Sequence, residues 1–153
     1  MNPPRTEEFW RFTLAIYARP LVSDLCLALQ ERDGRDVNIL MLALFAGAVL
    51  GRRLGPAEFA AVEAGSAAWR DQVAGRLRAV RRALKAWSED PEAAALRRAV
   101  QSAEIEAERL AQRLLLAALP SGPAEAPGRD LACANLLAYA GAGAASLAAA
   151  AFP

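Results

Sequence analysis

The sequence predicts an all-α protein, an irregular helical bundle of about six helices that includes a long antiparallel helical hairpin. Three observations predict it. No stretch alternates β-branched and polar residues with the period of two that a half-buried strand needs. Apolar residues recur instead at steps of three and four almost throughout the chain. Prolines and glycines fall between these runs, where they can end one helix and open the next.

The first helix is expected over 6–19. Thr6 can cap it, and Glu7 and Glu8 suit the positive end of its dipole. Phe9, Phe12 and Ile16 form its apolar face, with Trp10, Leu14 and Tyr17 slightly rotated from it. Pro20 ends that helix and suits the first position of a second, 20–32, which would bury Leu21, Val22, Leu25, Cys26 and Leu29. Gly34 fits the C-terminal cap of the second helix, and Asp36 fits the N-cap of the third, 37–54. The third helix is apolar nearly all round, so it belongs at the centre of the bundle.

Gly55-Pro56 opens the hairpin, 56–119. In its first arm Phe59, Val62, Ser66, Trp69, Val73, Leu77, Val80, Leu84 and Trp87 step by three and four. The double step of four at Trp69–Val73–Leu77 is a local stutter in a coiled-coil-like seam. Asp90-Pro91 suits a turn and a new helix start. In the second arm the matching seam is Leu96, Val100, Ala103, Ala107, Leu110, Leu114 and Ala118. A pivot near Glu89 would bring Arg81 and Arg82 level with Arg97 and Arg98, and Arg76 level with Glu104. Residues 120–129, with three prolines and two glycines, are expected as a flexible loop. Asp130 fits the cap of a last, alanine-rich helix, 130–151. Its glycines each cost roughly 1 kcal/mol of helix stability, so it should depend on docking, against the first and third helices.

The whole chain, 153 residues with 55% hydrophobic and 23% charged, fits one domain with its own core. A net charge of +1 supplies no global field toward nucleic acid or membrane. The absence of histidine removes the commonest general base and metal ligand, and with it Ser-His and Cys-His nucleophile pairs. Cys26 and Cys133 sit among apolar residues and are expected as free thiols in a cytoplasmic setting. The run 37–51 is shorter than the ~20 residues of a membrane span, and 131–153 is dominated by alanine and glycine. No membrane span is expected.

Candidate chemistry is sparse. Cys26 and Arg32 have the Cys-x5-Arg spacing of phosphotyrosine phosphatases, but the residues between them form a helical run where that chemistry needs a phosphate-binding loop. Asp33, Asp36, Glu104, Glu106 and Glu108 could be read as metal carboxylates, yet capping and solvated charge account for them better. No catalytic residue, metal site or cofactor is assigned. The strongest lead is a basic patch at the turn end of the hairpin: Arg78, Arg81, Arg82, Lys85, Arg97 and Arg98. Arginine favours planar recognition of carboxylate or phosphate, so the patch suits an acidic protein segment or an anion. Asn38 needs a hydrogen-bond partner if buried, and Trp10, Tyr17, Asn38 and Phe45 could line a cavity between the N-terminal helices.

Phe9-Trp10-x-Phe12, Tyr17-x-x-Pro20, Cys26-Leu27-x-Leu29-Gln30, Asp36-Val37-Asn38, Trp69-Arg70, Leu77-Arg78-x-x-Arg81 and Ala103-Glu104-x-Glu106-x-Glu108-Arg109 together resemble a bacterial family of small, all-helical proteins of unknown function. The resemblance runs to about Gln112. It implies a helical fold and a bacterial origin, and it supplies no activity. The expected function is therefore a non-enzymatic interaction or regulatory module that forms a homodimer through the hairpin. The alternative is a protein that binds, or an enzyme that acts on, a small apolar or isoprenoid-like molecule held between helices.

Overall fold

The computed structural model describes residues 3–153. In chain order its helices are α1 (Pro3–Tyr17), α2 (Val22–Asp33), α3 (Val37–Phe45), α4 (Pro56–Trp69), α5 (Gly75–Leu84), α6 (Pro91–Ala118), α7 (Arg129–Ala140) and α8 (Ala145–Ala151). No strand occurs among the described residues. No single helix among them is long and apolar enough to cross a membrane.

α3 is the hub. Every side chain from Ile39 to Phe45 is buried, and α1, α2, α6 and α7 all pack against it. That surrounding explains a helix with no polar face. α3 continues through a π-helical turn, Ala46–Leu50, and stops where Gly51 takes φ 65°. The helix therefore ends short of the expected residue 54, because the left-handed conformation at Gly51 terminates it. Gly47 in the π turn meets the backbone of α7 directly: a Cβ there would lie 2.3 Å from the Ala132 nitrogen.

The N-terminal boundaries differ from the expected ones. α1 begins at Pro3, so Thr6 lies inside it and is not its cap. The chain then bends by 100° between α1 and α2. Pro20 does not open α2: Leu21 takes a left-handed φ of 70° and the helix starts at Val22. Gly34 closes α2 as expected, also left-handed, with its N–H donating to the Gln30 carbonyl. Asp36 caps α3, its carboxylate accepting from the N–H groups of Asn38 at 2.8 Å and Ile39 at 3.3 Å.

The hairpin is present, with α4, a π turn (Arg70–Ala74) and α5 as one arm and α6 as the other. The π turn falls on the Trp69–Val73–Leu77 stutter. A wider turn absorbs an extra residue and returns the apolar face to phase, so the irregular spacing has a structural cause. The Trp69 indole N–H ties the arms together by donating to the Ala107 carbonyl at 2.9 Å. On α6 the buried stripe is Ala107, Ala111, Gln112 and Leu115, while Leu110 and Leu114 of the expected seam are only half-buried and Leu96 and Ala103 are exposed. The seam closes at the inner half of the hairpin, where α3 and α1 also pack on α6.

The alanine-rich helix is broken. Gly141, at φ 72°, ends α7, and a 3-10 turn leads into α8. Gly128, not Asp130, stands at the N-cap of α7. α7 docks on α3 and its π turn, and α8 docks on α2. Asn135 fastens α7 in place: it accepts from the Leu54 N–H at 2.9 Å and donates to the carbonyls of Arg52 at 2.8 Å and Ala43 at 3.2 Å. The irregular segment before α7 runs back along the end of α3, with the Glu125 N–H on the Gly51 carbonyl and the Gly128 N–H on that of Gly47.

Candidate functional site

A cleft of about 550 Å³ lies between α1, α2, the start of α3 and both arms of the hairpin. Its size is that of a small-molecule site. Trp10, Leu14 and Tyr17 enter it from α1, Leu27 from α2, and Ile105, Ala111 and Leu115 from α6. Arg35, Arg70, Arg78, Arg81 and Arg82 stand in the same wall, together with two acids, Asp36 and Glu108. The helical period explains the cluster on α5: Arg78, Arg81 and Arg82 are three and four apart and share one face.

Two features that the sequence suggested separately thus meet in one place. Arg78, Arg81 and Arg82 of the basic patch line the cleft, as do Trp10, Tyr17 and Asn38 of the expected cavity. The other named residues lie elsewhere. Lys85 and Arg98 are exposed toward the hairpin turn, and Arg97 is half-buried there. Phe45 is a core residue, fully buried, stacked on Phe9 at 4.8 Å and edge-on to Phe12 at 5.4 Å.

The hairpin register also differs from the expected one. Arg81 faces Glu104, with Nε to Oε2 at 2.5 Å and Nη2 to Oε1 at 3.2 Å. Arg78 Nη2 donates to Glu108 Oε1 at 3.3 Å, and its Nε lies 3.7 Å from Glu104. A 3-10 turn, Lys85–Trp87, extends the first arm before the chain reverses, and Arg78 and Arg81 stand opposite acids, not opposite Arg97 and Arg98.

The arginines divide by partner. Burial disfavours the charge on Arg70, but its hydrogen bonds to Glu63 at 2.9 Å and Asp36 at 3.2 Å outweigh that and hold its pKa above the ordinary arginine range. Arg78 and Arg81 are held by Glu104 and Glu108. Arg35 has no carboxylate partner and lies over the Tyr139 ring at 5.3 Å, and Arg82 makes no ion pair among the described residues. These two are the cations with capacity for an added anion.

Behind the cleft lining runs a chain of amides. Asn38 donates to the Glu108 carboxylate. Gln112 Nε2 donates to Asn38 Oδ1 at 3.1 Å and to Thr13 Oγ1 at 2.7 Å. Burial raises the pKa of Glu108, while Arg78 and the Asn38 hydrogen bond oppose that rise. Burial also pushes the Tyr17 phenol up to about 12, with Cys26 and Glu108 adding to it, so the hydroxyl keeps its proton at neutral pH.

The remaining candidates have ordinary roles. Cys26 is fully buried on α2 and burial pushes its thiol up to about 12, which is the opposite of an activated nucleophile. Arg32 pairs with Asp33 at 3.1 Å, and Glu106 lies 3.9 Å from Arg109. No three side chains of His, Cys, Asp or Glu gather to hold a metal ion among the described residues.

Nothing in the sequence spacing joins Arg35, Arg70 and Glu108, which meet in this cleft. Glu108 and Gln112 carried a signal, since they are four apart and Gln112 interrupts the run Leu110-Ala111-x-x-Leu114-Leu115 on an inward-facing stretch.

A family model described as "Protein of unknown function (DUF2390)" matches residues 8–115. The chain belongs to this family. Every residue that lines the cleft, from Trp10 to Leu115, falls within the matched stretch, while α7 and α8 lie beyond it. No curated protein and no solved structure matches the chain.

Proposed function

We propose that this DUF2390 protein binds a small organic anion with an apolar body in the inter-helical cleft. One observation carries the reading: aromatic and aliphatic side chains share a single cleft with Arg35 and Arg82, two arginines that no carboxylate among the described residues neutralises. An acidic protein segment is less favoured as the partner, because Arg78 and Arg81 are already engaged by Glu104 and Glu108.

The test is a fluorescence titration with 8-anilinonaphthalene-1-sulfonate, an aromatic sulfonate, followed by its displacement with dodecanoate. Saturable, displaceable binding is expected, weakened about tenfold or more by Arg35→Glu with Arg82→Glu, since charge-assisted hydrogen bonds are the strong ones. Helical circular dichroism should persist. Binding that ignores the double charge reversal would reject the site.

A second reading rests on the outer hairpin, where Trp87 is 65% and Leu96 53% exposed and Val80 on the first arm is exposed as well. These residues favour a homodimer through the hairpin arms. Sedimentation equilibrium at high micromolar concentration tests it: a mass of 16.2 kDa throughout rejects the dimer.

A further inference from the structure

Arg35 is held without being neutralised. Its guanidinium carbon lies 5.3 Å from the centre of the Tyr139 ring, and no carboxylate among the described residues pairs with it. An aromatic face attracts a cation and leaves its N–H donors unengaged. A carboxylate does the opposite: Arg78 and Arg81, in the same cleft wall, are fixed by Glu108 and Glu104 and turn their donors to them. Arg35 Nε is in addition buried with no hydrogen-bond partner, in a side chain that lines the cleft. Buried donors are rarely left in that state.

Tyr139 is itself fixed. Its hydroxyl accepts from the Asp36 N–H at 3.1 Å and donates to Glu63 Oε1 at 3.4 Å, and its ring packs on Phe59 with centroids 5.0 Å apart. The Asp36 N–H belongs to the peptide bond that follows Arg35, so the ring is tied to the backbone beside the side chain it carries. Burial pushes the phenol up to about 12, so it keeps the proton it donates. The two acids beside this pair are fully engaged. Glu63 Oε1 meets Tyr139 and its Oε2 meets Arg70 at 2.9 Å. Asp36 Oδ1 caps α3 and its Oδ2 meets Arg70 at 3.2 Å. Neither is left to claim Arg35.

We infer that Tyr139 is a positioning residue of the anion site: its ring holds the Arg35 guanidinium in the cleft wall with its N–H donors open to the ligand's acid group. This role rests on the small-anion reading of the cleft given above. It gives α7, which lies beyond the stretch matched by the family model, a part in a cleft whose lining falls within that stretch. Loss of the ring should weaken a charged ligand and spare an uncharged one of the same shape, because only the charged ligand uses Arg35. Once Arg35 is gone, loss of the ring should weaken the anion no further, because the two side chains act as one unit.

The experiment titrates the full chain with two fluorescent probes of similar shape, anionic 8-anilinonaphthalene-1-sulfonate and uncharged N-phenyl-1-naphthylamine. Tyr139→Leu should weaken the sulfonate about fivefold, a loss no greater than that of Arg35→Met, and should move the uncharged probe by less than about twofold. Tyr139→Phe, which keeps the ring, should recover most of the sulfonate's affinity. Arg35→Met combined with Tyr139→Leu should bind the sulfonate no more weakly than Arg35→Met alone. Equal losses on both probes in Tyr139→Leu, an unchanged sulfonate affinity there, or additive losses in the double variant would overturn the role and leave the small-anion reading intact. A wild-type measurement decides should Tyr139→Leu fail to fold. A nuclear Overhauser contact between Arg35 Hε and the Tyr139 ring is expected in the free protein and with dodecanoate bound, and its absence from either state would overturn the role. Failure of the wild-type chain to bind the sulfonate would remove both the role and the reading it rests on.

Discussion

Replacing Asn135 with leucine tests how α7 is held. The side chain is buried and satisfies three backbone groups: the Leu54 N–H at 2.9 Å, the Arg52 carbonyl at 2.8 Å and the Ala43 carbonyl at 3.2 Å. Each lost hydrogen bond costs about 1 kcal/mol, and leaving the buried Leu54 donor unsatisfied costs about 1 kcal/mol more. Leucine of similar volume restores about 1 kcal/mol through apolar burial, so the net loss is about 3 kcal/mol. For a domain of this size that lowers Tm by roughly 6–12 °C. Thermal and urea unfolding followed by far-ultraviolet circular dichroism measure it. Asn135→Asp provides a second readout. Its carboxylate would face two carbonyls, so its pKa should rise, and the variant should be more stable at pH 4 than at pH 7. A loss below about 1 kcal/mol in Asn135→Leu would mean that these bonds do not fasten α7, and the account of its docking would fall.

Three further outcomes follow from packing and charge. Gly47→Ala should cost about 3 kcal/mol or more, because its methyl would sit 2.3 Å from the Ala132 nitrogen, whereas Gly34→Ala, with open space around it at φ 65°, should cost only about 1 kcal/mol; paired urea melts decide, and equal losses would refute the close approach. Iodoacetamide at pH 8 should label half-buried Cys133 well before fully buried Cys26, whose thiol burial pushes up to about 12, and intact-mass spectra that reach two labels as quickly as one would contradict this. Burial likewise pushes Tyr17 and Tyr139 up to about 12, so all three groups stay neutral in the folded state while the unfolded chain loses their protons from about pH 9 upward. Their contribution to stability is complete below that range and is lost between about pH 9 and 12; a melting temperature unchanged across that window would rule it out.

The helical class and the order of elements were legible because the signals were local. Asp36 and Gly34 sit where a helix must start and stop, and each makes the cap its side chain or backbone allows. The apolar girth of α3 announced its central place, and the stutter at Trp69–Val73–Leu77 marked the turn that became π-helical. The misplaced boundaries had tertiary causes. Asp130 falls in the first turn of α7, while Gly128, whose N–H donates to the Gly47 carbonyl, stands at the cap.

The site was legible in parts and not as a whole. Trp10, Tyr17 and Asn38 read as a cavity and Arg78, Arg81 and Arg82 as a patch, because nothing in their spacing says that α1 and α5 face each other across α6. The register of the hairpin has the same root: nothing in the spacing fixes which turns of the two arms stand level, and the pairs Arg81–Glu104 and Arg78–Glu108 show it only once the arms are packed. Phe45 is typical of the ambiguity of aromatics, which suit a core as well as a cavity wall.

The central claim is that the cleft between α1, α2, α3 and the hairpin is where a small apolar-bodied anion binds. The most direct measurement is a two-dimensional 1H–15N NMR titration of the protein with dodecanoate. Saturable shifts are expected on the Trp10 indole and on the amides of Tyr17, Arg35, Asn38, Arg82 and Ile105, with the Trp87 indole at the hairpin turn unmoved. No saturable shift, or shifts that gather on the outer hairpin around Trp87 and Leu96, would contradict it.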